Sequence, residues 1–151
     1  MNMLTPHFSL AEFVATQHRE IDNTLPQGLW TNAVLTCSLL ERVRSYLGQL
    51  KGKDVPIYIS SGYRCPELNE AVGSKPASDH VNALAVDWTA QTFGTPYEIC
   101  KALEPQFTNL DLGQLIHEFD GWVHIGVKPR KKSIDRILTI DKRGTRVGIF
   151  P

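Results

Sequence analysis

The stretch QLIHEFDGWVHIGV, Gln114 to Val127, places two apolar runs on either side of Asp120-Gly121. Asp-Gly flanked by such runs is the strongest short-range signal for a β-hairpin. Two registers are open. A two-residue Asp120-Gly121 loop pairs Phe119 with Trp122 and His117 with His124, and turns Glu118 to the opposite face. A three-residue Phe119-Asp120-Gly121 loop, with Gly121 left-handed and a bulge, pairs Glu118 with Trp122 and sets Glu118 on the face of His124. Asp-Gly suits both, so the choice stays open in the sequence.

Outward from the hairpin, helices and strands alternate irregularly. SLAEF has Ser9 three residues before Glu12, the spacing of a capping box, and predicts a short first helix. DNTLPQGLW is turn chemistry. Val34, Leu35, Leu39, Val43, Leu47 and Leu50 recur at helical spacing and predict the longest helix, capped at Thr31 or Asn32 and ended at Gly48. GKDVPIYIS leads into a strand with Ile57 and Ile59 on one face. CPELNEAVG predicts a short helix with Pro66 in its first turn. ALAVDW predicts a second strand, Ala85 and Asp87 on one face and Val86 and Trp88 on the other. TPYEICKAL is a further helix, and RILTIDKRGTRVGIF a second hairpin turning near Gly144. The expected fold class is α+β, a small antiparallel sheet with helices packed on one side.

The chain has 151 residues, which suits one domain spanning 1–151 with no second domain expected. Hydrophobic residues make up 42% and charged residues 21%, with a formal net charge of zero. That balance argues against a broad electrostatic grip on nucleic acid or anionic lipid. The one basic run, KPRKK from Lys128 to Lys132, reads as a solvated loop. No stretch approaches the ~20 apolar residues of a membrane helix, and MNMLTPHFSLAEF lacks the pattern of a signal peptide. The three cysteines, Cys37, Cys65 and Cys100, form no CxxC pair; Cys37 and Cys100 read as small buried apolar residues. A chain made in a reducing cytoplasm, and monomeric, is expected.

The polar residues stranded in apolar strands are the candidates for chemistry. Asp87 lies in ALAVDW, and a buried carboxylate needs a cation, a metal or hydrogen-bond donors. His80 follows PASD in the loop before that strand and can fold back over the face of Asp87. His124 is again a single polar residue in WVHIGV. Two nitrogens and a carboxylate with one position left open are typical of catalytic zinc. Arg64, at the end of SGYR, could face developing negative charge. The two hairpin registers supply different partners: His117 as an extra ligand or acid, or Glu118 as a base. His7 and His18 read as surface residues.

At this point SGYRCPELNEAVGSKPASDHVNALAVDW (residues 61–88), followed by WVHIGV, resembles the zinc D-alanyl-D-alanine carboxypeptidase and phage L-alanyl-D-glutamate endopeptidase family. It looks closest to the small phage and prophage, endolysin-like branch. FSLAEF, IDNTLP, LLERVRSYLG, FGTPYEICKAL, QLIHEF and ILTIDKRGTRVGIF extend the similarity over nearly the whole chain. The resemblance implies a D-Ala-D-Ala carboxypeptidase or hedgehog-like fold with the zinc site on the open sheet face. It implies Zn²⁺ held by His80, Asp87 and His124, and Arg64 holding the substrate carbonyl or carboxylate. Tyr63 and Ser78 are candidate substrate contacts, Ser78 also shaping the loop. Other branches place an acidic base three residues before the last histidine, where this chain has Gly121; the phage branch has a glutamate matching Glu118. Glu118 is therefore the expected base, with Asp120 second. Ala83 stands where the family usually has glycine; if that position is left-handed, alanine costs about 1 kcal/mol.

The expected activity is hydrolysis of a peptide bond in peptidoglycan stem peptides, of D-Ala-D-Ala or L-Ala-D-Glu type, at the cell wall after release or from within a virion. The rival readings are a non-catalytic virion or tail component that keeps the fold, and a metal-free binding domain with a polar cleft.

Overall fold

A computed structural model describes residues 2–128 and 136–151. A two-stranded sheet opens the chain, β1 (Met3–Thr5) antiparallel to β2 (Phe8–Ser9). The predicted first helix follows as α1 (Leu10–Val14). Ser9 Oγ accepts from Glu12 N–H while the Glu12 carboxylate accepts from Ser9 N–H, a complete capping box. A 3-10 turn (Gln27–Leu29) leads into α2 (Trp30–Lys51).

Both ends of α2 differ from the expectation. It starts at Trp30, so Thr31 and Asn32 lie inside it, and Asn32 Nδ2 donates to Asn82 O instead of capping. It passes through Gly48 and stops at Gly52, which is left-handed (φ 70°) and donates its N–H to Gly48 O. A helical glycine costs about 1 kcal/mol. Burial of Leu47 beside it offsets that, since a fully buried leucine contributes roughly 1.5–3 kcal/mol.

The remaining elements are β3 (Tyr58–Ser61), α3 (Pro66–Ala71), a 3-10 helix (Asp79–Asn82), β4 (Ala85–Thr89), α4 (Pro96–Leu103), a 3-10 turn (Glu104–Gln106), β5 (Leu112–Glu118), β6 (Trp122–Val127), β7 (Ile137–Asp141) and β8 (Gly144–Val147). The last six strands in this series form one sheet in the order β3-β4-β6-β5-β7-β8. Every pairing is antiparallel except β5 with β7, where Leu115↔Ile137 runs to Glu118↔Ile140 in parallel. The expected all-antiparallel sheet is therefore mixed. The reason is topological. β4 already occupies the far edge of β6, so the next strand must join β5, and after the reversal at β6 it runs in the β5 direction. Of the basic run, residues 129–132 lie outside the described residues.

The helices do gather against one face. Val86, Trp88, Leu115, Val123 and Ile125 pack in one core with Ala33, Cys37, Leu40, Val43 and Leu47 of α2 and Ile99, Cys100 and Leu103 of α4. Strand alternation then sends Asp87, Glu118 and His124 to the other face. Among the described residues no helix is long and apolar enough to cross a membrane.

Candidate metal centre

The sheet register brings the first two candidates together. Asp87 on β4 stands directly opposite His124 on β6, so both side chains leave the same face. His80 reaches them from the 3-10 helix before β4. Ser78 Oγ caps that helix by accepting from His80 N–H (3.3 Å). Ala83 then turns the chain into β4 in the left-handed conformation (φ 58°, ψ 29°), at a cost of about 1 kcal/mol for a residue with a Cβ. Thr36 of α2 donates to Ala83 O (2.7 Å) and Arg64 N–H to His80 O (3.1 Å), fixing the loop from both sides.

One ligand atom from each of His80, Asp87 and His124 lies within 4.8 Å of the others, and all three residues are buried. His124 Nδ1 is 2.8 Å from Asp87 Oδ1, and His80 Nε2 is 3.3 Å from the same oxygen. His80 Nδ1 donates to Gly62 O (2.7 Å), which leaves the Nε2 lone pair facing the cluster. Burial opposes charge on Asp87, but the imidazoles of His80 and His124 outweigh it and hold the carboxyl far below its ordinary range. Two imidazole nitrogens and a carboxylate oxygen are the borderline donors that zinc takes, and three protein ligands leave one tetrahedral position open. The donor set fits zinc.

Arg64 closes the far side of Asp87. Its Nη2 donates to Asp87 Oδ2 (3.2 Å) and its Nε to Ser61 Oγ (3.1 Å). Asp87 thus keeps Oδ1 for the cluster while Oδ2 is held by a guanidinium. Arg64, Asp87, Ser61, His18 and Trp122 line a cleft of about 340 Å³.

The hairpin takes the three-residue register. Glu118 pairs with Trp122, and Ile116 with His124, so Glu118 shares the face of His124. The left-handed residues, however, are Phe119 (φ 54°) and Asp120 (φ 47°), not Gly121. Both cost roughly 1–2 kcal/mol there. Compensation is visible: Gly121 N–H closes the turn on Glu118 O (2.9 Å), Phe119 N–H donates to Ile140 O (2.8 Å), and Asp120 Oδ1 accepts from Tyr97 N–H (3.3 Å). Glu118 Oε1 ends 3.8 Å from His124 Nδ1. Burial raises the Glu118 pKa, the His124 imidazole pulls it back, and the Asp87 carboxylate adds to the rise.

Three candidates land elsewhere. His117 lies on the helix-side face, with Nδ1 2.9 Å from Phe150 O and Nε2 2.9 Å from Asp120 Oδ1, so it does not join the cluster. Asp120 is drawn to that same side and is not brought to the donor set. Tyr63 packs in the core at 4% exposure and presents no surface to the cleft. The three donors lie at the sheet face away from the helices, 2–7% exposed, and of them Asp87 lines the cleft. Ser78 sits at the loop cap described above.

Three features escaped the sequence reading. His18 lines the cleft, whereas His7 bonds Glu41 at 2.7 Å on the surface. Gly62 supplies the carbonyl for His80. Gln114 Oε1 lies 3.1 Å from His124 Nε2. The alternation of Gln114, Ile116 and Glu118 along β5 is a signal that finds Gln114 once the register is known.

A family model described as Peptidase M15 matches residues 6–126, which contain the whole cluster. No curated protein matches the sequence.

Proposed function

The chain belongs to the peptidase M15 family, and from that membership we propose a zinc-dependent peptidase that hydrolyses a peptide bond in the stem peptides of bacterial peptidoglycan. The bond is of D-Ala-D-Ala or L-Ala-D-Glu type, the protein is encoded by a phage or prophage, and residues 1–151 act as one domain. The observation that carries the reading is the buried His80, Asp87 and His124 cluster with the Glu118 carboxylate 3.8 Å from His124.

In this reading His80 Nε2, Asp87 Oδ1 and His124 Nδ1 hold the ion. Bound zinc supplies Lewis-acid polarisation of the scissile carbonyl and lowers the pKa of water toward ~7. Glu118 accepts a proton from the attacking water at Oε1 and returns it to the leaving amine nitrogen, so the carboxylate is regenerated. Burial raises its pKa above that of a free carboxylate, which makes it the stronger base toward that water. Arg64 has two duties. It positions Asp87 through Oδ2, and its guanidinium at the cleft wall stabilises negative charge growing on the carbonyl oxygen. His18 and Trp122 line the path by which the peptide reaches these groups.

Mass spectrometry of stem peptides digested with and without a chelator tests the proposal. One new product pair, absent with chelator, is expected and identifies the bond. A zinc-loaded protein that leaves every stem peptide intact would instead favour a non-catalytic virion component.

A further inference from the structure

We infer that Gln114 is a positioning residue for the metal centre, selecting the tautomer and fixing the ring of His124. The inference rests on the zinc reading above.

The geometry starts in the sheet. Gln114 on β5 stands opposite Gly126 of β6, one pair beyond Ile116↔His124 on the same face. The absent side chain at Gly126 leaves Gln114 room to lie across the strand; a Cβ there would already touch Gln114 Cβ at 3.4 Å. The amide reaches toward His124, with Oε1 3.1 Å from Nε2. Gln114 is 7% exposed and His124 is equally buried, so water does not compete for this contact.

An amide oxygen only accepts. Contact with Oε1 therefore requires the hydrogen of His124 on Nε2, which leaves the Nδ1 lone pair pointing to Asp87 Oδ1 and His80. His80 is held the opposite way round, its Nδ1 hydrogen on Gly62 O and Nε2 facing inward. The two histidines thus present different nitrogens, and each is set by one acceptor behind it. Such outer partners typically change metal affinity ~10–100-fold when removed. Gly62 acts through its backbone, so Gln114 is the side chain on which substitution can test the principle.

Three variants and two readouts test it, using the full chain. Zinc affinity is measured by competition with a chromophoric chelator, and the visible spectrum of the cobalt(II) form reports ligand geometry. Gln114→Met keeps length and removes the acceptor; zinc affinity should fall ~10–100-fold and the cobalt bands should shift. Gln114→Glu keeps an acceptor and should restore wild-type affinity or exceed it. Gln114→Asn draws the oxygen back by one methylene and should resemble Gln114→Met, which serves if the methionine variant does not fold. Wild-type affinity in both Met and Asn variants overturns the inference, as does equal weakening in the Glu variant, which would mark a packing role. A wild-type chain that binds no zinc overturns this inference and the zinc reading together. A wild type that binds zinc yet cuts no stem peptide overturns only the peptidase activity, because the affinities still decide the role of Gln114.

Discussion

Glu118 Oε1 stands 3.8 Å from His124 Nδ1 because the hairpin between them uses three residues, not two. One residue fewer in that loop would turn Glu118 into the core side of the sheet. The proposed base and the proposed metal ligand are therefore coupled through the turn Phe119-Asp120-Gly121, whose strain is offset by bonds to Ile140 and Tyr97.

Glu118→Ala should keep stoichiometric zinc and lose ~10²–10⁴ in turnover, the range expected for a general base. Metal content and the rate of stem-peptide hydrolysis, measured on the same preparation, check it. An active, zinc-loaded variant would remove Glu118 from the chemistry.

His124→Ala leaves His80 and Asp87, and two ligands hold zinc poorly. The variant should emerge from gel filtration without bound zinc and without activity. Tight zinc in this variant would exclude His124 from the donor set.

Much of this arrangement was legible in the sequence, and the gaps have physical causes. Asp87 and His124 stood out because a charge in an otherwise apolar strand demands a partner, and alternation put them on the face away from the helices. His80 followed from its loop. The register at Glu118 was not decidable, since Asp-Gly fits both turns; what decides it is tertiary, the hold of Tyr97 and Ile140 on the loop. The parallel placement of β7 was hidden because nothing local reveals that β4 already covers the edge of β6. Gly48 read as a helix end, yet α2 runs through it and ends at Gly52, whose left-handed backbone closes the last turn on Gly48 O. Gln114 and Gly62 act on the two histidines from 10 and 18 residues away in sequence; alternation along β5 reveals Gln114 only once the hairpin register is known, and nothing local marks the Gly62 carbonyl.

Gly62 makes a separate prediction. A Cβ at this position would lie 2.3 Å from Phe13 O and 2.8 Å from the Phe13 ring, a clash with backbone that no rotamer change relieves. Gly62→Ala should cost about 1–3 kcal/mol and also weaken zinc, because the displaced Gly62 carbonyl accepts the hydrogen bond from His80 Nδ1. Denaturant midpoints and zinc affinity should fall together. Wild-type values of both would show that the loop adapts freely.

The thiols should separate by environment. Burial, with the Glu12 and Glu41 carboxylates adding, pushes the Cys37 thiol up to about 12. Burial drives Cys100 further in the same direction, aided by Glu104 and Asp120. At pH 8 a thiol with a pKa near 12 is ionised to only ~10⁻⁴, and thiolate is the reactive form. Cys65 is only partly buried. A thiol-specific reagent at pH 8 should modify one cysteine, Cys65, in the folded chain and all three in denaturant. Rapid modification of Cys37 or Cys100 in the folded protein would contradict the packing of α2 and α4.

Titrating zinc into metal-free protein while following stem-peptide hydrolysis tests the central claim most directly. If His80, Asp87 and His124 hold one ion that works with Glu118, activity should rise from zero and level off at one equivalent of zinc. Hydrolysis by the metal-free chain, or no activity at any zinc concentration despite binding, would contradict it.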